Sequence, residues 1–114
     1  MRLHTEVRVA DLDALPAVIA RHALRIVQEA LTNARKHAPA ASVDLEIRGA
    51  PGDGLTIEVR NPVRVLTACV PEIPGSGTGL VGLAERATLA GGRLEHGLDE
   101  QGAFRLRVWL PWPK

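Results

Sequence analysis

The chain is 114 residues long, 46% apolar and 24% charged, the make-up of an ordinary globular domain with one core that buries about 60–68% of the unfolded surface. A net charge of +1 gives no electrostatic case for nucleic acid or an anionic membrane as partner, and 3% aromatic residues leave little for base stacking. No run approaches about 18 consecutive apolar residues, the N-terminus lacks an apolar signal core, and the lone Cys69 cannot form an internal disulfide, which suits a reducing compartment.

Leu3, Thr5, Val7 and Val9 alternate with His4, Glu6 and Arg8, so Leu3 to Val9 reads as a half-buried strand. Asp11 and Asp13 offer caps and Pro16 suits a first turn, predicting a helix that runs to about His37 and stops before Pro39. Ser42 to Arg48 alternates again. Ala50-Pro-Gly-Asp-Gly54 is a hairpin turn, and Leu55 to Val59 returns as the next strand. From Asn61 to Thr78 the pattern breaks: Pro62, Pro71, Pro74, Gly75 and Gly77 punctuate a loop with one short apolar run, Val63 to Val70. A loop this long inside a compact domain is usually functional, often a lid. A helix follows from Gly79 to about Leu89, with Leu80, Leu83, Ala84 and Ala87 inward, and Gly91-Gly92 ends it. Arg93 to His96 and Ala103 to Leu110 read as two final strands. The order predicts a two-layer α/β sandwich: a mixed sheet of about five strands, helices on one face, the other face partly open.

Chemistry concentrates on the first helix. Ala23, Ile26, Val27, Ala30, Leu31 and Ala34 form a core-facing stripe. At roughly 100° per residue, Arg25, Glu29, Asn33 and Lys36 fall within about 80° of one another on its flank. A carboxylate, a carboxamide and two cations at the border of the core can hold a metal and a polyphosphate together. A solvated face laced with pairs such as Arg25 with Glu29 is the other reading. Gly75-Ser-Gly-Thr-Gly-Leu80 opens into the second helix, so its amides offer either an anion cradle or a flexible hinge capped by Thr78. No Gly-x-x-x-x-Gly-Lys-Ser/Thr string exists. Gly77-Thr-Gly-Leu-Val-Gly82 fits Gly-x-Gly-x-x-Gly, but Pro71 and Pro74 separate it from any strand and too little chain follows for a doubly wound sheet. His4, His22, His37 and His96 show no metal-ligand spacing. Cys69 reads as a small apolar filler, and Trp109 and Trp112 as packing groups.

Helix and glycine run together resemble the ATP-binding catalytic domain of bacterial sensor histidine kinases, within the superfamily of gyrase, Hsp90 and MutL. Most similar are the kinases paired with response regulators carrying LuxR-type DNA-binding domains. Glu29-Ala-Leu-Thr-Asn33-Ala-Arg-Lys36-His37-Ala resembles the family's N box. Gly77-Thr-Gly-Leu-Val-Gly-Leu-Ala-Glu85-Arg86, with Ala90-Gly-Gly92, resembles its second glycine box, and Phe104 to Pro111 its closing strand. The resemblance spans nearly the whole chain and implies a Bergerat-type ATP-binding fold over residues 1–114, with an ATP lid at about 62–78. It implies that Asn33 coordinates Mg²⁺, that Lys36, helped by His37, contacts the phosphates, and that Glu29 orients or deprotonates the attacking nucleophile. The amides around Gly77, Thr78 and Gly79 would cradle the β- and γ-phosphates, with Gly75 and Leu80 completing the ATP-binding set.

Two positions depart from the family pattern. Its first glycine box opens Asp-x-Gly-x-Gly, the aspartate accepting from the adenine amino group; here Asn61 stands there, followed by Pro62. A carboxamide still accepts that bond, weaker by about 1 kcal/mol without charge assistance. Ala103 replaces a threonine that often helps hold adenine. Both changes imply weak ATP binding, on the order of hundreds of micromolar, with the phosphate site intact.

The family's phosphoacceptor histidine sits on a dimerising helical hairpin that the segment before Leu3 cannot hold. The chain is therefore expected to bind Mg-ATP without phosphorylating itself. Its expected partners are that hairpin domain and a response regulator, with no nucleic acid and no direct membrane contact. The expected location is the cytoplasm, including the cytoplasmic part of a membrane-bound sensor. Two alternatives stand beside this: a degenerate nucleotide-binding signalling module without kinase activity, and an anti-sigma-factor serine kinase of the same superfamily.

Overall fold

The computed structural model describes residues 2–37, 42–62, 73–98, 100 and 103–113. In chain order they form β1 (Arg2–Val9), a 3-10 turn (Leu12–Ala14), α1 (Ala17–His37), β2 (Ser42–Ala50), β3 (Gly54–Pro62), α2 (Ile73–Leu89), β4 (Arg93–Leu98) and β5 (Ala103–Leu110). The sheet order is β1-β2-β3-β5-β4. β1 runs parallel to β2, because α1 carries the chain back across the sheet between them; the other three pairings are antiparallel. This is the mixed five-stranded α/β sheet expected from the sequence.

Local chemistry sets the joints. The β2–β3 turn closes with the Asp53 amide donating to the Ala50 carbonyl at 3.0 Å. Gly52 and Gly54 take φ of 87° and 92°, which side-chain-bearing residues avoid. The carbonyl of Pro16 accepts the first helical bond of α1 from the Ala20 amide at 3.0 Å. At the far end of α2, Gly91 (φ 85°) carries a left-handed cap. The Gly92 amide donates to Ala87 at 2.8 Å and the Gly91 amide to Thr88 at 2.9 Å, the paired bonds of a Schellman ending.

Both helices cover one sheet face. Ile19, Ile26, Ala30 and Ala34 of α1 and Leu83 and Ala87 of α2 join Val43, Leu45, Leu55, Ile57, Val59, Leu106, Val108, Leu110 and Trp112 in a single buried cluster. Ile26, Leu83 and Leu110 are fully buried, each worth about 1.5–3 kcal/mol of transfer free energy. The opposite face is charged and open: Glu58 draws Arg48, Arg105 and Arg107 to within 3.3–3.8 Å across three strands.

Three expectations need correction. The second helix begins at Ile73, six residues before Gly79, so the glycine run forms its first turns instead of a loop ahead of it. Pro74 explains this, since a proline fits a first helical turn as well as a loop. The first helix is preceded by a separate 3-10 turn, and Asp11, its cap position, makes no side-chain capping bond. β1 is not half-buried: Leu3 is 47% and Val7 56% exposed, because α1 packs over β3 and β5 and leaves the sheet edge uncovered. The apolar run Val63 to Val70, with Cys69 and most of the expected lid, lies outside the described residues.

Candidate functional site

The site is built on the flank of α1 that faces α2. Ile26, Ala30 and Ala34 anchor the helix in the core, and that rotation brings Glu29 and Asn33, one helical turn apart, to the half-buried border. Arg25 is exposed farther round the helix. Lys36 and His37 occupy the last turn of α1, and their side chains lie outside the described residues.

Glu29 has a partner that sequence reasoning missed. The Nε of Arg86, on α2, stands 3.4 Å from Glu29 Oε1. Arg86 Nε is buried and makes no well-formed hydrogen bond among the described residues, so the attraction is between charges. With the two side chains 30% and 38% exposed, such a pair contributes less than about 1 kcal/mol to stability. Gly82 lies beside it: a Cβ there would be in ordinary contact with Glu29 Oε2, at 3.6 Å. In the sequence Arg86 flanks the apolar positions Leu83 and Ala87 as Glu29 flanks those of α1, which places each at a helix border but does not pair them. The ion pair fixes the carboxylate between two helices.

The other wall comes from β3. Asn61 is 6% exposed and is the single buried polar side chain among the described residues. It shares the helix-facing side of β3 with Leu55, Ile57 and Val59, at the strand's last turn of the alternation, in register with Phe104. Ala103, 2% exposed, sits in register with Pro62 beside it. A buried carboxamide at the end of an apolar stripe fits a heterocycle that offers both an apolar face and a hydrogen-bonding edge. Gly75, Gly77, Thr78, Gly79 and Leu80 fall in the first turns of α2, with no side-chain geometry described. A hollow of about 660 Å³ lies on the open face against Gly97, Arg60, Arg105 and Arg107 and shares no residue with this site.

The profile of the histidine kinase-, DNA gyrase B-, and HSP90-like ATPases matches residues 19–114. The chain belongs to this ATPase family. It is thus an ATP-binding domain of that family, and Glu29, Asn33 and Asn61 all fall within the matched segment. No curated protein sequence matches the domain. Among solved structures, the blue-light activated histidine kinase EL346 of Erythrobacter litoralis superposes with a TM-score of 0.70 at 23% identity. The ATPase domain is covered to 96% in that comparison and spans 37% of the kinase's chain. The ATP binding domain of PrrB from Mycobacterium tuberculosis gives a TM-score of 0.58 at 26% identity, covering 82% of this chain and 69% of its own. The histidine kinase AdeS of Acinetobacter baumannii gives 0.63 at 10% identity, covering 99% of this chain and 56% of its own, a likeness of fold. No helix of the described residues is long and apolar enough to cross a membrane.

Proposed function

We propose that this ATPase domain is the catalytic domain of a two-component sensor histidine kinase, presenting Mg-ATP to a histidine on a separate dimerising domain. The observation that carries the reading is the α1 flank: a carboxylate and a carboxamide one turn apart, both half-buried, with the carboxylate tied to the second helix through Arg86. Phosphoryl transfer asks a protein mainly for positioning and charge neutralisation, and this is a positioning arrangement.

In this reading Asn33 supplies an oxygen ligand to Mg²⁺, and Lys36, with His37, meets the triphosphate from the last turn of α1. A bound Mg²⁺ would neutralise part of the triphosphate's charge. Glu29 orients the incoming imidazole and takes up its proton. Asn61 accepts from the adenine amino group. The backbone amides at Gly75, Gly77, Thr78, Gly79 and Leu80 serve the β- and γ-phosphates as the start of α2 rearranges. Glycine costs a helix about 1 kcal/mol per residue relative to alanine, so three glycines make this the easiest stretch of α2 to unwind. The same reading gives the domain a response regulator as downstream partner, of the LuxR-type class, and a cytoplasmic location.

Asn61 in place of an aspartate, with Ala103 beside it, favours a second reading in which the domain binds nucleotide weakly and signals without transferring phosphate. One experiment separates the two. The chain is joined to a dimerising helical hairpin carrying a histidine, and γ-labelled ATP is added. Acid-labile phosphate on the hairpin supports the kinase; nucleotide binding without label supports the degenerate module; label on serine of a partner supports the anti-sigma type.

A further inference from the structure

We propose that β1 is a pairing edge for a second copy of this chain: two β1 strands meet antiparallel about a two-fold axis at Val7 and join the two five-stranded sheets into one. Among the described residues β1 is hydrogen-bonded along its length to β2 alone. It is eight residues long without proline or glycine, so nothing in its backbone interrupts the edge, and its charges Glu6 and Arg8 are of opposite sign. Its helix-side row is also uncovered, with Leu3 47% and Val7 56% exposed beside an α1 that packs farther into the sheet.

Charge selects the occupant and the register. The parallel pairing of β1 with β2 sets Glu6 beside Glu46 and Arg8 beside Arg48, like charges in adjacent positions of the open face. Adjacent like charges on neighbouring strands oppose pairing. Arg8 is compensated along its own strand by Glu6, and Arg48 by Glu46 at 2.8 Å and by Glu58 of β3 at 3.8 Å, on the side away from β1. Two short stripes, one acidic and one basic, therefore end side by side at the sheet edge. A copy related by a two-fold axis at Val7 places its Arg8 opposite Glu6 and its Glu6 opposite Arg8, continuing each stripe into the opposite charge. Val7 then meets Val7 on the other face, and Thr5 meets Val9. Moving the axis to Glu6 would set Glu6 against Glu6; moving it to Thr5 would set Arg8 against Arg2. An axis at His4 would set Glu6 against Arg2 but leave Arg8 outside the pairing, so Val7 is the register that matches both Glu6 and Arg8 within the strand, as a homodimeric edge requires.

Sedimentation equilibrium of the 114-residue chain at low salt tests this directly. The apparent mass is expected to rise from 12.2 kDa toward twice that value as concentration goes from about 10 µM to 1 mM, the range of a small interface. Val7→Lys should weaken association at least tenfold with unchanged circular dichroism, since the side chain is exposed in the monomer. Glu6→Arg and Arg8→Glu should each weaken it, the double variant should restore it, and an equimolar mixture of the two single variants should form a heterodimer. A chain that stays at 12.2 kDa throughout overturns the proposal. So does a dimer indifferent to Val7→Lys, or single variants whose loss neither the double variant nor the mixture repairs.

Discussion

Asn61→Asp restores the carboxylate that the family places at the adenine, and the structure sets what that should cost and gain. A neutral acceptor contributes about 1 kcal/mol net and a charged one about 2 kcal/mol. The difference of about 1 kcal/mol corresponds to roughly fivefold tighter Mg-ATP binding. Asn61 is 6% exposed, on an apolar strand face that continues Val59, so the unliganded variant must hold a carboxylate where water hardly reaches. A loss of about 2 kcal/mol in stability is expected at neutral pH. Burial raises the folded-state pKa of such a carboxyl above its unfolded value, so the deficit should shrink as the pH falls and the group takes up its proton. Asn61→Leu gives the mirror image: stability retained or improved, ATP binding weakened. Calorimetric titration with Mg-ATP and Mg-GTP, alongside thermal melts, reads all of these. GTP carries a carbonyl where ATP carries the amino group, so the aspartate should not help it. An equal gain for both nucleotides, or a leucine variant that binds ATP as before, would refute the placement of adenine against Asn61.

Three further outcomes follow from the packing. Leu83→Ala empties a fully buried position between α2 and the sheet and should cost about 3 kcal/mol in urea denaturation; a loss below 1 kcal/mol would mean that the helices do not share one core. Gly91→Ala forces a Cβ onto a residue at φ 85° and should cost about 1 kcal/mol, whereas no loss would show that the Schellman ending is not kept in solution. Arg86→Gln removes the partner of Glu29 from a half-exposed pair and should change stability by less than about 1 kcal/mol, while lowering phosphotransfer in the hairpin-joined protein; a change in nucleotide affinity instead would place Arg86 at the phosphates.

The fold was legible where one face of an element is buried. The alternation of Val43, Leu45 and Ile47 and the spacing of Ile26, Ala30 and Ala34 each mark a surface the chain covers, and the structure covers them. β1 misled because alternation reports that a face is apolar, not that a helix lies over it. The start of α2 misled because proline and glycine are ambiguous: both serve loops, and Pro74 serves a first helical turn equally well. At the site, residue types on α1 were readable from the helical period alone. The ion pair of Glu29 with Arg86 was not, since it joins residues far apart in sequence whose approach depends on the packing of α1 against α2. Asn61 stood out as a departure from a motif, but its burial could only come from the sheet.

The function proposed for this ATPase domain depends on Asn33 holding the divalent ion of Mg-nucleotide. Titrating a fluorescent ATP analogue into the wild-type chain and Asn33→Ala, with and without Mg²⁺, tests it most directly. Half-buried on α1, Asn33 can be truncated without opening the core, so the melting temperature should hold while Mg²⁺-dependent binding falls at least tenfold. Unchanged binding in the presence of Mg²⁺ would contradict the assignment.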